Sequence, residues 1–129
     1  MCIADMVMTD IDATQGIVDF ASASAETSVS QPAEDRLIAG SPQQRVKNFF
    51  SDRTGRFFAG VWESTPGTWK VRYSENEFCY MLAGRVRIVD AQGQRREFGP
   101  GDSFVIPAGF EGTWEVVENA RKLYAIFEP

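Results

Sequence analysis

Glu77 and Tyr73 are the residues of this chain best placed to do chemistry. Side chains alternate along a strand, so in the run Glu77 to Leu82 one face carries Glu77, Cys79 and Met81 and the other Phe78, Tyr80 and Leu82. A carboxylate on an apolar inner face is costly unless it is hydrogen-bonded, protonated or set against a cation. That is the profile of a general acid or base. The competing structural role is a strand-end carboxylate that bonds backbone amides or an arginine such as Arg72. Tyr73 shares the inward parity of Trp69 and Val71, where its hydroxyl would orient a substrate or bond Glu77, or would simply be satisfied in a core. Glu75 extends the site to a carboxylate pair, although its place in the Ser74-Glu75-Asn76 turn favours a solvated loop acid. Cys79 has no imidazole base and no helix N-terminus to lower its thiol, so it reads as a small lining residue and not a nucleophile. Trp62, Trp69 and Trp114 supply the aromatic walls that a small-molecule pocket needs and that a β-core needs equally.

No histidine occurs among the 129 residues. Ser-His-Asp triads, Cys-His pairs, HExxH zinc sites and two-His-one-carboxylate iron sites are therefore excluded for this chain alone. No cofactor and no metal ligands are expected. The alternative is an oxygen-only site built from Glu75, Glu77 and Tyr73, which suits magnesium or manganese better than iron or copper.

The elements that would position these groups are short strands. Val, Ile, Phe, Tyr, Trp and Thr dominate the runs 45–51, 57–64, 68–74, 77–83, 85–91, 95–98, 103–106, 113–118 and 122–128, which predicts nine strands. Breaks fall at Pro66-Gly67, Gly84, the Asp90-Ala91-Gln92-Gly93 hairpin, Gly99-Pro100-Gly101, Pro107-Ala108-Gly109 and Gly112. Such spacing predicts an all-β sandwich, jelly roll or small barrel. The strand at 68–74 has one wet face, because Trp69, Val71 and Tyr73 alternate with Thr68, Lys70, Arg72 and Ser74. The run 77–82 is apolar on both parities, and so is Leu123 to Phe127 with Tyr124 and Ile126 opposite. Both should be covered on two faces, for which a homodimer is the economical arrangement.

A formal net charge of −5 hides an asymmetry: all seven ionisable groups before Arg36 are acids, and the rest of the chain holds thirteen bases against eleven acids. Residues 1–30 therefore read as an acidic N-terminal tail or extension, with Ile17 to Phe20 a possible short strand and Ala21 to Pro32 an aperiodic tether. Residues 31–129 read as a single domain. Interspersed carboxylates argue against nucleic-acid binding. No apolar run approaches the roughly 20 residues of a membrane span, and no base precedes Arg36 to open a signal peptide. A cytoplasmic location away from membranes is expected, with Cys2 and Cys79 as free thiols.

Two segments with a fixed relation carry more information than turn chemistry requires: Gly67-x9-Glu77-x6-Gly84, and Gly101-Asp102-x4-Pro107-x-Gly109. Together they resemble the two motifs of the cupin superfamily, which implies a double-stranded β-helix with a ligand pocket in its mouth. The histidine of the second motif falls on Gly112 and its asparagine on Val116. The two histidines of the first fall on Val71 and Tyr73, or on Lys70 and Arg72, and only Glu77 of the usual metal ligands is kept. The wording of Gly60 to Trp69, Glu75 to Tyr80 and Pro107 to Trp114 is similar to short cupins grouped with the cupin domain of (S)-ureidoglycine aminohydrolase. This resemblance covers roughly residues 31–128.

The expected function is binding of a small polar organic molecule in the barrel without a His-ligated metal. One alternative is a hydrolase or isomerase using Glu77 as general acid/base with Tyr73. Another is a dimeric structural or interaction module. Whether the chain is an enzyme stays open at this point.

Overall fold

The computed structural model describes residues 16–129. Nine strands form: β1 (Glu26–Ser30), β2 (Leu37–Gly40), β3 (Gln44–Ser51), β4 (Phe57–Ser64), β5 (Gly67–Arg72), β6 (Asn76–Asp90), β7 (Arg95–Phe98), β8 (Ser103–Ile106) and β9 (Glu111–Phe127). Every pairing among them is antiparallel, and the described residues contain no helix. The expected all-β architecture is therefore present.

Two long strands organise it. β6 and β9 pair along almost their whole length, from Asn76↔Phe127 to Asp90↔Gly112. Each then takes different neighbours at its two ends. The first half of β6 borders β8 and the second half borders β7. The last half of β9 borders β4 and the first half borders β5. One leaf is thus β1-β3-β4-β9-β6-β8 and the other β2-β5-β9-β6-β7, folded over each other through the shared pair. The fold line lies at Met81 to Val86, where the register slips three times. Bulges of this kind bend a strand and increase its twist.

Gly84 makes the bend possible. Its φ is +80°, and a Cβ there would lie 2.1 Å from the carbonyl oxygen of Asn119. Gly84 was expected to end a strand; instead it kinks a continuous one, so the runs 77–83 and 85–91 merge into β6. The runs 113–118 and 122–128 merge into β9 in the same way.

Between the leaves lies the core, in which Val46, Phe58, Trp62, Met81, Tyr124 and Ile126 from one leaf meet Trp69, Val71, Val86, Ile88, Trp114 and Val116 from the other. The expected parity of β5 holds, with Trp69 and Val71 buried and Tyr73 just beyond the strand's end buried with them. The N-terminal reading changes. The run expected to be a tether supplies β1, paired with β3, an edge strand whose Thr27 and Val29 are exposed and whose other face is polar. Ile17 to Phe20 is not a strand; Phe20 stacks on Phe49 at 4.4 Å. β2, also missed, is a short exposed edge paired with β5. Cys2 and the first three acids lie outside the described residues, and Cys79 is a free, buried thiol.

Candidate functional site

The register of β4, β5, β6 and β9 sets the site. Pairing places Trp62 opposite Lys122, Lys122 opposite Met81, and Trp69 opposite Trp114, all with inward parity. The two motif loops close over one end: Gly109 N–H donates to Tyr73 O at 2.7 Å, Tyr73 N–H to Phe110 O at 2.9 Å, and Ala108 N–H to Asn76 Oδ1 at 2.8 Å. Asp102 is a turn residue, its Oδ2 accepting from Gly99 N–H at 2.8 Å.

All seven residues singled out in the sequence are buried: Trp62, Trp69, Tyr73, Glu75, Glu77, Cys79 and Trp114. The three indoles form a cluster, with Trp62 6.4 Å from Trp69 and 5.6 Å from Trp114 between ring centroids. Glu75 departs from the loop-acid expectation, since it is fully buried in the turn that joins β5 to β6. Arg72 is not the partner of Glu77; it points outward and pairs with Glu111 at 3.4 Å.

The partner is a residue sequence reasoning did not select. Lys122 is 1% exposed, and its Nζ stands 3.0 Å from Oε2 of Glu77. The same ammonium donates to Cys79 Sγ at 3.4 Å and lies 4.7 Å and 4.3 Å from the ring centres of Trp62 and Trp114. A signal for it existed, because Lys122 shares the parity of Tyr124 and Ile126, one of the two apolar faces of that run. Its place beside Arg121 conceals it, because two adjacent bases look like any basic pair.

Electrostatics follow from burial. Burial opposes the charge on Lys122, but Cys79 and Glu77 beside it more than compensate and raise its pKa, so the ammonium stays charged. Burial, then Glu77, pushes the Cys79 thiol up, which leaves it a protonated, poor nucleophile. Burial together with Glu77, Cys79 and Glu75 drives the Tyr73 hydroxyl far above its ordinary value. Tyr73 is a neutral group at any physiological pH. A second buried polar chain runs from Tyr124 O–H to Asn48 Oδ1 at 2.7 Å and from Asn48 Nδ2 to Ser51 Oγ at 2.8 Å.

Space in the interior is small. The cavity beside Lys122, walled by Gln44, Trp62, Trp69, Val71, Tyr73 and Trp114, has a volume of about 10 Å³, the room of one water molecule. Two buried donors at its wall have no partner among the described residues, Gln44 Nε2 and Trp114 Nε1; Gln44 Oε1 accepts from Trp62 Nε1 at 3.0 Å. A larger cleft of about 190 Å³ lies outside this wall at the seam between β7 and β8. Its floor is Ile88, Phe98, Phe104, Ile106 and Phe110, with Phe98 and Phe104 stacked at 3.9 Å. Arg96 stands at its rim, and no carboxylate among the described residues pairs with it. Asp90, also at the rim, has its Oδ1 engaged by the N–H groups of Gln92 and Gln94 at 2.9 Å.

The divalent ion that metal-binding cupins imply does not fit the interior residues. Lys122 already holds a positive charge at Glu77. A second, divalent charge about 4 Å away would meet a repulsion on the order of 8 kcal/mol at an effective dielectric constant of 20. The motif position of the missing histidine is also closed: a Cβ on Gly112 would lie 2.0 Å from the Val89 carbonyl oxygen. Among the described residues no group of three or more Asp, Glu or Cys side chains has the geometry to hold a metal.

Comparison with known proteins places this geometry in a family context. Residues 51–124 match the family model of the EutQ-like cupin domain. A Pseudomonas syringae protein of unknown function from the DUF861 family has 28% identity and a TM-score of 0.72, covering 81% of this chain and 45% of that one. The Clostridium difficile EutQ protein has 22% identity and a TM-score of 0.61 over 67% of this chain and 64% of its own. A Thermotoga maritima DUF861 protein has 33% identity and a TM-score of 0.51, over 52% of this chain and 76% of that one. This chain thus spans less than two thirds of the first two proteins. A search of curated protein sequences finds no match.

Proposed function

Because the chain belongs to the EutQ-like cupin family, we propose that it works as a binding cupin, without a metal, for a small organic acid held at the seam between β7 and β8. The observation that carries this reading is a largely apolar cleft of about 190 Å³ lined by Arg96, whose guanidinium has no carboxylate partner among the described residues. The cleft is smaller than the roughly 300–1,000 Å³ of sites for drug-sized ligands, so it suits a single ring or a short chain. Arg96 gives such a body its polar end, since guanidinium and carboxylate match in a two-pronged hydrogen bond. The ligand expected in the barrel interior is thereby moved outward, because an interior of about 10 Å³ leaves no room for it.

The test is calorimetric titration with benzoate and hexanoate, each against its neutral amide. Binding of an acid that the amide does not reproduce, weakened about tenfold or more in Arg96→Gln, is the expected result. Equal affinity for acid and amide, or an unaffected Arg96→Gln, refutes it.

An aminohydrolase-like activity through Glu77 and Tyr73 draws its support from motif wording. Burial of both groups supports binding over turnover.

A second reading has its own observation and is compatible with the first. Phe57, Phe78, Tyr80, Val105 and Phe127 are between 37% and 60% exposed, and all lie on the outer face of the leaf formed by β4, β9, β6 and β8. Register puts Val105, Phe78, Ala125 and Ala59 in one row and Tyr80, Leu123 and Val61 in the next. The other leaf shows water a row of ion pairs instead, Glu97 to Arg87 to Glu115. These two rows, without a charged residue across four strands and about 14 Å, supply the centre of a standard interface of about 800 Å² a side. We read its occupant as the same face of a second copy.

A further inference from the structure

We propose that Lys122 is the resident cation of the barrel interior, a covalently attached ammonium that takes the place of a divalent ion beside Glu77. This goes beyond the seam cleft and does not depend on it. Four independent contacts describe the coordination of that ammonium. Oε2 of Glu77 lies 3.0 Å away and Cys79 Sγ accepts at 3.4 Å. The faces of Trp62 and Trp114 flank it at 4.7 Å and 4.3 Å. Indole is the aromatic that attracts a cation best, and the attraction grows when water is excluded, as it is at 1% exposure.

A catalytic lysine would need a neighbouring space for a carbonyl substrate, and the cavity here holds one water. A purely apolar role is equally poor, since a buried ammonium is tolerated only when paired. What the arrangement does is neutralise the retained motif glutamate from within the chain. The missing histidines then cease to be a loss of function in this interior. Glu77 keeps a cation, and the chain needs no metal supply to keep it.

The experiment uses untagged protein, because a histidine tag would add the imidazoles that the chain lacks. Samples of wild type and Glu77→Gln are incubated in turn with manganese, iron, nickel and zinc, dialysed and measured for metal per chain. Wild type is also melted with and without a chelator, and the 15N spectrum of its lysine side chains is recorded at pH 7. The expected result is less than about a tenth of an ion per chain, the same melting temperature with chelator, and an ammonium signal for Lys122 with slowly exchanging hydrogens. An ion retained equally by wild type and Glu77→Gln sits outside the interior and agrees with the proposal. About one ion per chain that disappears in Glu77→Gln overturns it. So does a chelator that lowers the melting temperature, or a Lys122 signal typical of a neutral amine. If Glu77→Gln fails to fold, the chelator and lysine measurements on wild type decide alone.

Discussion

Lys122 and Glu77 form a pair in which each is costly to bury and safe only because of the other. Truncating one partner strands the other charge, which typically costs about 3–5 kcal/mol, whereas replacing both by neutral groups of similar shape costs far less. Lys122→Met should therefore lower stability by about that amount, and adding Glu77→Gln should recover a large part of it. Urea denaturation of the four proteins of this cycle checks the expectation, and strictly additive losses would refute it. Alkali tests the same cluster from another side. Burial raises the Cys79 thiol above its ordinary value near 9, so the folded protein keeps a proton that the unfolded chain gives up as pH rises. Stability should be complete below pH 9 and fall above it, with Tyr73 and then Lys122 steepening the decline because theirs are raised as well. In Cys79→Ala the onset should move to about pH 10, read from denaturation midpoints at pH 7, 9 and 10.

At the scale of elements, β6 and β9 do the work of two strands each, and the site exists because both cross from one leaf to the other. Lys122 and Glu77 belong to one leaf and Trp114 to the other, so only the fold at Met81 to Val86 brings them together. Gly84 is where this crossing is tightest. Gly84→Ala combines an unfavourable positive φ with an overlap on the Asn119 carbonyl. It should destabilise by more than about 2 kcal/mol in thermal or chemical denaturation. Gly93→Ala is the control, since its φ of +83° is similar but nothing lies within 4 Å of the added Cβ. A loss at Gly84 no larger than at Gly93 would mean that φ alone, and not the crossing, is at stake. Strand existence was legible from the turn signals and the β-branched runs. Strand continuity was not, because a glycine that ends a strand and one that kinks it look alike without the partner strand. The edge strands β1 and β2 escaped notice for a related reason: they bury little and carry no periodic apolar signal.

For the whole molecule, the two outer faces make opposite statements. One is laced with Arg87, Glu97 and Glu115 and suits water; the other exposes Phe78, Tyr80 and Val105 on adjacent strands. A chain of 14.4 kDa should therefore scatter light as a particle of about twice that mass. Phe78→Asp should return it to the monomer with its fold kept, because the side chain points away from the core. A monomeric wild type would leave this face to another partner and refute the pairing.

The sequence by itself determined that this is an all-β chain of the cupin kind, that histidine chemistry is absent from it, and that Glu77 points inward. The all-β class, the absence of histidine and the inward Glu77 follow from composition, turn residues and a two-residue period, all of which are local; the cupin kind follows from the resemblance of two spaced motifs. The tertiary structure alone decided that Lys122 is the counter-charge, that Glu75 is buried, and that the cleft at the β7/β8 seam has more room than the cavity beside Lys122. Each depends on which distant strands are neighbours and on how much volume three indoles occupy when packed. Residues 45 positions apart, such as Glu77 and Lys122, become a pair only through the register of β6 with β9.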